Sequence, residues 1–403
     1  MADNQFNAVP SELCSLGWNS QPAGGTDCDF VLCSPGTFNG IGRETSDLPC
    51  EVCPPETENP LALFAGATSC VEGESNVLRD IYYLMGGAQW LHNDGWGTHT
   101  DHCEWYGVTC HADGAHAGSV QSLDLRGNNL VGGLLPDIWL LTQMIELDLS
   151  DNDITVASFE KIGDAAALQS LKLSNNKVLT LTGVGNAIKL ENFHCTSCEI
   201  GGPIPDELYD LVNLRRLFLN YNQLTGSISS RARFLRGLRE LYLFSNNLRG
   251  DIPTELGNRF MEVISLGSNR FSGSIPSHWS LMFNLRVLSL EHEAEEDRAL
   301  IGVRDTGLTG QLPAFVSNRQ LRELYLSGNA LGGTIPSNFL EAVDDVSATI
   351  HVDVSSVSIR VLDLPSNLAF SLISPRFLPS SRTCRTSSKA VSRHSLRDSM
   401  TLD

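Results

Sequence analysis

The chain runs to 403 residues, 41% of them hydrophobic and 19% charged, and 28 basic against 47 acidic side chains leave a formal net charge of −19. That length exceeds one ordinary domain, and that apolar share supports a packed core along most of it. So negative a surface repels phosphate backbones and anionic headgroups, which sets aside nucleic-acid and membrane-surface binding, and no apolar run is long enough to span a bilayer.

Residues 1–71 hold six of the eleven cysteines: Cys14, Cys28, Cys33, Cys50, Cys53 and Cys70. An even cluster in a stretch rich in Gly and Pro reads as a disulfide framework in an oxidising compartment, with its pairing left open by the sequence. The first residues, MADNQFNAVPSEL, carry no basic or apolar leader, so the expectation is a start other than the true one, or a missing anchor segment. Residues 72–118 come next. Leu78, Ile81, Tyr82 and Met85 recur at helical spacing, with Ser75 placed as the N-cap. Trp90, Trp96 and the run Cys103-Glu104-Trp105-Tyr106-Gly107-Val108-x-Cys110 follow.

Residues 119–369 are repetitive. VQSLDLRGNNL at 120 returns as MIELDLSDNDI at 144 and LQSLKLSNNKV at 168. The series continues as LENFHCTSCEI at 190, LRRLFLNYNQL at 214, LRELYLFSNNL at 238, MEVISLGSNRF at 261, LRVLSLEHEAE at 285 and LRELYLSGNAL at 321, with a half-copy, IRVLDLPSNLA, at 359. The anchor leucine moves in steps of 24 from Leu123 to Leu147 to Leu171. Alternation in L-x-L predicts a short parallel strand whose leucines point inward. Asn128, Asn152, Asn176, Asn222, Asn246, Asn269 and Asn329 stand three residues after the second leucine, where a side-chain amide satisfies backbone groups that the turning chain leaves open; Cys198 takes that place once. No copy can bury its apolar side alone, so neighbours must stack into one core.

The second half of five copies reads Gly-x-Ile/Leu-Pro: Gly202–Pro205, Gly250–Pro253, Gly273–Pro276, Gly310–Pro313 and Gly333–Pro336. The copies at 144 and 168 lack it, which predicts an irregular outer side there. An acidic insertion separates Leu290 from Leu308, and reads as a solvated loop or a mis-joined exon. Residues 370–403 are serine-rich and basic, with Arg376, Arg382, Arg385, Lys389, Arg393 and Arg397. They read as a disordered tail or a misread end.

From 119 to about 340 the pattern resembles the plant-type leucine-rich repeat, L-x-x-L-x-L-x-x-N-x-L-x-G-x-I-P. The run at 103–110 resembles the plant-type N-terminal cap of such proteins, in a variant similar to stramenopile and diatom forms. Cys33-Ser-Pro-Gly-Thr-Phe38 with Cys50-x-x-Cys53-Pro resembles a small cysteine-rich receptor module. The resemblance implies an α/β-class solenoid, a right-handed superhelix with a concave parallel sheet and a small disulfide-rich module before it. It implies a Cys103–Cys110 disulfide, an extracellular or cell-surface setting, and a receptor-like ectodomain that signals through a kinase-bearing co-receptor. A secreted inhibitor or an adhesion protein is the alternative.

Competing chemistry is weak. His99, His102, Cys103, Cys110 and His111 have ligand types suited to zinc, but both cysteines belong to the cap motif. Cys195-x-x-Cys198 reads as buried structural cysteine rather than a redox pair. Asp124/Asp148 and Asp151/Asp153 read as exposed charge. With no catalytic motif and no cofactor implied, the concave face remains. Arg216, Phe218, Tyr221, Tyr242 and Phe244 fall together there, with Tyr325 further on, and exposed aromatics with arginine are the stuff of binding hot spots. The implied ligand is a protein, peptide or glycan.

Overall fold

The computed structural model describes residues 73–98, 100–292, 307–334 and 338, with short strands at 31–32, 37–38, 43–44, 51–52, 351–353 and 358–360. The six-cysteine framework, most of the acidic insertion, His99 and the tail from 370 lie outside the described residues.

One eleven-stranded sheet organises the chain. Val108–Cys110 enters antiparallel to Val120–Asp124. From there every partner is parallel: Glu146–Asp148, Ser170–Lys172, Asn192–His194, Arg216–Phe218, Glu240–Tyr242, Val263–Ser265, Val287–Ser289, Glu323–Tyr325 and His351–Asp353. The register sets Leu123, Leu147, Leu171, Phe193, Leu217, Leu241, Ile264, Leu288 and Leu324 side by side. All nine are buried in one continuous cluster, as stacked rungs that share a core require. On the opposite side the chain runs through single 3₁₀ turns, such as Asp206–Asp210, Ser230–Phe234 and Ser277–Leu281.

The asparagines tie the rungs together. Asn246 Nδ2 donates to the Leu243 carbonyl of its own rung (3.0 Å) and to the Leu219 carbonyl of the rung before (2.9 Å). Its Oδ1 accepts from the Leu224 amide at 3.0 Å. Asn176, Asn222, Asn269 and Asn329 repeat this arrangement. A polar group at the centre of an apolar stack is tolerated because each of its hydrogen-bonding positions is used.

Among the described residues the first rung has no parallel rung before it, and the preceding segment takes that place. Asn128 Nδ2 donates to the His92 carbonyl, and its Oδ1 accepts from the His92 amide. The helix Gly73–Leu84 buries Leu78 and Ile81, and Trp90, Trp96 and Trp105 pack ring to ring over the open end. Cys103 and Cys110 form a disulfide with their Cα atoms 5.5 Å apart. His102, Cys103 and Cys110 stand close enough to share a metal ion, but thiols joined in a disulfide offer no thiolate ligands.

Several local expectations need correction. Ser75 is not an N-cap: the helix begins at Gly73, and the buried Ser75 hydroxyl meets His102 Nδ1 at 3.0 Å. The copy at 144 keeps an outer strand, Asp153–Ala157, paired with Val131–Leu134 through a bulge, although it lacks Gly-x-Ile-Pro. The copy at 168, by contrast, has the expected irregular outer side, with no outer strand among the described residues. The tenth parallel strand comes from His351–Asp353 rather than from the half-copy at 359, where Ser358–Arg360 pairs with Ala330–Thr334. Asp148 is not exposed. It is buried, accepts a hydrogen bond from the Ser150 amide, and lies 3.6 Å from Lys172 and 3.8 Å from Arg126, so cationic neighbours offset its desolvation.

Candidate binding face

In each concave strand the residues on either side of the inward leucine point away from the core, and parallel in-register pairing turns these positions into columns. The column after the leucine reads Asp124, Asp148, Lys172, His194, Phe218, Tyr242, Ser265, Ser289, Tyr325. Charge fills its beginning and rings its middle. His194 lies over Phe218 with centroids 4.2 Å apart, and Phe218 stacks on Tyr242 at 4.5 Å with 19° between planes. Phe244 belongs to the next column and packs edge-on against Tyr221 at 4.8 Å. Phe218, Tyr242 and Phe244 are thus half-buried, partly by one another, rather than standing separately in water.

Electrostatics sharpens this patch. Burial, helped by the cations of Lys172 and Arg216, lowers the His194 pKa to about 4, so the ring stacks as a neutral imidazole at physiological pH. Burial, and then the carboxylate of Glu240, raises the Tyr242 phenol above its ordinary value, which keeps it an O–H donor. Arg216 is held from two sides: its Nε donates to Glu240 at 3.0 Å and its Nη1 to Asn192 at 3.2 Å. Such bonds fix the guanidinium plane beside the rings and leave it half-exposed.

Tyr221 carries a further mark. The residue before each ladder asparagine adopts a left-handed backbone, with φ 59° at Asp151, 57° at Asn175, 56° at Tyr221 and 55° at Ser245. Gly, Asn, Asp and Ser suit that conformation; a bulky ring is strained there. Tyr221 is nonetheless 56% exposed, so burial does not explain its presence.

The structure therefore groups Arg216, Phe218, Tyr242, Phe244 and Tyr221, and separates Tyr325. Tyr325 stands three strands beyond Tyr242, roughly 14 Å at the usual strand spacing, across the small side chains Ser265 and Ser289. Its hydroxyl donates to Glu323 at 3.2 Å. Sequence reasoning missed His194 as the third ring. Its alignment one rung before Phe218 was the available signal. Cys195 and Cys198, both buried beneath this region, form a disulfide.

Comparison with known proteins agrees with this architecture. Models of leucine-rich repeats match residues 212–258, as two copies, and residues 119–141 and 320–341. Cuscuta receptor 1 of Solanum lycopersicum is 30% identical over 243 residues, covering 54% of this chain and 21% of that one. Receptor-like protein 6 of Arabidopsis thaliana is 26% identical over 250 residues, covering 60% and 22%. The chain thus spans about a fifth of the length of these relatives. A plant ice-binding protein of known structure shares the fold, with a TM-score of 0.56 at 22% identity over 71% of this chain and 86% of that one.

Proposed function

We propose that this chain is a plant-type leucine-rich-repeat protein whose concave face is a recognition surface for an extracellular peptide, protein or glycan. The protein binds rather than catalyses. It works at the cell surface or outside the cell, and any signal passes through a partner that bears a kinase. The receptor-like relatives support this reading, and one observation carries it. The solenoid spends its leucines on the core, yet its concave side gathers His194, Phe218 and Tyr242 in one stack beside Arg216 and the strained Tyr221. Aromatic rings and arginine on a preorganised sheet contribute the most binding energy for the least ordering entropy.

The test is a peptide and glycan array probed with the full chain and with its Tyr242→Ala/Phe244→Ala variant. Truncating two anchor rings should weaken each specific capture by roughly 2–4 kcal/mol while leaving the circular dichroism unchanged. Capture that persists undiminished removes this patch from the binding surface.

A further inference from the structure

A second surface, distinct from the aromatic stack, runs along the edge where the chain enters each concave strand. The residue after the first leucine of each copy forms one column there: Glu191, Arg215, Arg239, Glu262, Arg286, Arg322. Backbone hydrogen bonds fix its order, each amide donating to the carbonyl of the rung before at 2.7–2.9 Å. Three residues upstream in each copy lies a second, outer column, in which Arg236, Arg259, Phe283 and Arg319 follow one another. All seven arginines are exposed, and over these five rungs Glu262 is the one acid in either column.

Glu262 bonds Arg239 at 3.2 Å and approaches Arg286 at 3.5 Å, and Glu191 engages Arg215 at 3.1 Å. These exposed pairs are easily exchanged for other anions. In a chain of net charge −19, so long a basic row is a marked sorting of charge.

We infer that this edge is a binding track for a linear acidic polysaccharide of the polyuronate type, with a carboxylate on each sugar. Three features select that occupant. The cations lie in a row, one or two per rung, over roughly 19 Å from Arg215 to Arg322 at the usual strand spacing, whereas a compact anion needs donors that converge on a point. Two exposed rings stand among them. Phe260 is 41% exposed under the Arg259 guanidinium at 4.8 Å, and Phe283 is 46% exposed beside an open recess of about 450 Å³ lined by Asn284, Ser317, Arg319 and Gln320. Flat apolar faces next to amide and hydroxyl groups suit the C–H faces and hydroxyls of a sugar ring. The Cys103–Cys110 disulfide fits an oxidising compartment, where nucleic acid is not the prevalent polyanion.

The test titrates the full chain with a polygalacturonate oligomer, a neutral glucan of equal length and single-stranded DNA. It then repeats the first titration on Arg236→Ser/Arg259→Ser/Arg319→Ser/Arg322→Ser, on the same four positions changed to Lys, and on Tyr242→Ala/Phe244→Ala. Binding of polygalacturonate that weakens with added salt, falls roughly tenfold or more in the serine variant and largely survives in the lysine variant supports the track. The neutral glucan should not bind, and the concave variant should bind polygalacturonate as the wild type does. No binding, an unaffected serine variant, DNA bound as tightly as the uronate, or loss in the concave variant overturns the assignment. The serine variant replaces exposed side chains only, and a circular dichroism spectrum matching wild type confirms that lost binding is not lost fold.

Discussion

Single side chains set the terms of both structure and recognition here. Each ladder asparagine serves two rungs, so its removal breaks several buried hydrogen bonds at once. Asn246→Ala leaves the Leu224 amide without its partner and takes from the Leu219 and Leu243 carbonyls one of the two side-chain amides each accepts from, Asn222 and Asn269 keeping the others. It should cost about 2–4 kcal/mol in urea denaturation, more than one net hydrogen bond is worth, because the unpaired buried amide bears the full desolvation penalty while two carbonyls each lose a bond. Tyr221 predicts the opposite sign. Tyr221→Asn relieves a left-handed backbone at φ 56° and should stabilise the fold by about 1 kcal/mol. The same variant should weaken capture by the concave face. A residue that costs stability and helps binding is marked as functional; a variant both more stable and equally competent would show the ring to be incidental. The seven asparagines were readable from spacing alone, since their role is local to the motif. The burial of Asp148 and the stacking of His194 depend on what the neighbouring rung presents at the same height, and the strain at Tyr221 rests on a backbone angle that the leucine and asparagine spacing does not state.

At the scale of elements, the cap and the first rung meet through charge as well as rings. The Asp80 carboxyl sits half-buried on the helix Gly73–Leu84, and burial, followed by repulsion from Asp137, raises its pKa to about 6 from 3.8. An acid with a raised folded pKa holds its proton more tightly in the fold. Stability is therefore highest below about pH 4 as far as this group is concerned, declines as pH rises towards 6, and stays reduced above. Asp80→Asn should raise the unfolding temperature at pH 7 and leave it unchanged near pH 3.5; a gain of equal size at both values would show that charge is not the cause. The cap helix was legible in its apolar spacing, but its start was not, since a buried hydroxyl facing His102 imitates a capping serine in sequence. Likewise the His351–Asp353 strand escaped notice because a valine stands at the central position where the preceding concave strand has Leu324, and the more leucine-rich copy downstream drew the register.

For the molecule as a whole, ten parallel strands stacked rung on rung leave the inner side of the sheet free of the core, and that freedom is the basis of the proposed recognition role. The period of two dozen residues made this architecture readable, because leucines that recur at one step must share one layer. What the period does not encode is the sorting of side chains over the finished surface, acidic at the first rungs, aromatic at the centre of the concave face and basic along one edge. The most direct test is hydrogen exchange followed by mass spectrometry on the full chain, with and without the strongest peptide or glycan captured on the array. Added protection confined to the strands from Asn192–His194 to Val263–Ser265 and the turns that follow them is the predicted result. Protection that falls instead on the 3₁₀ turns of the opposite side, with those strands unchanged, would contradict the account.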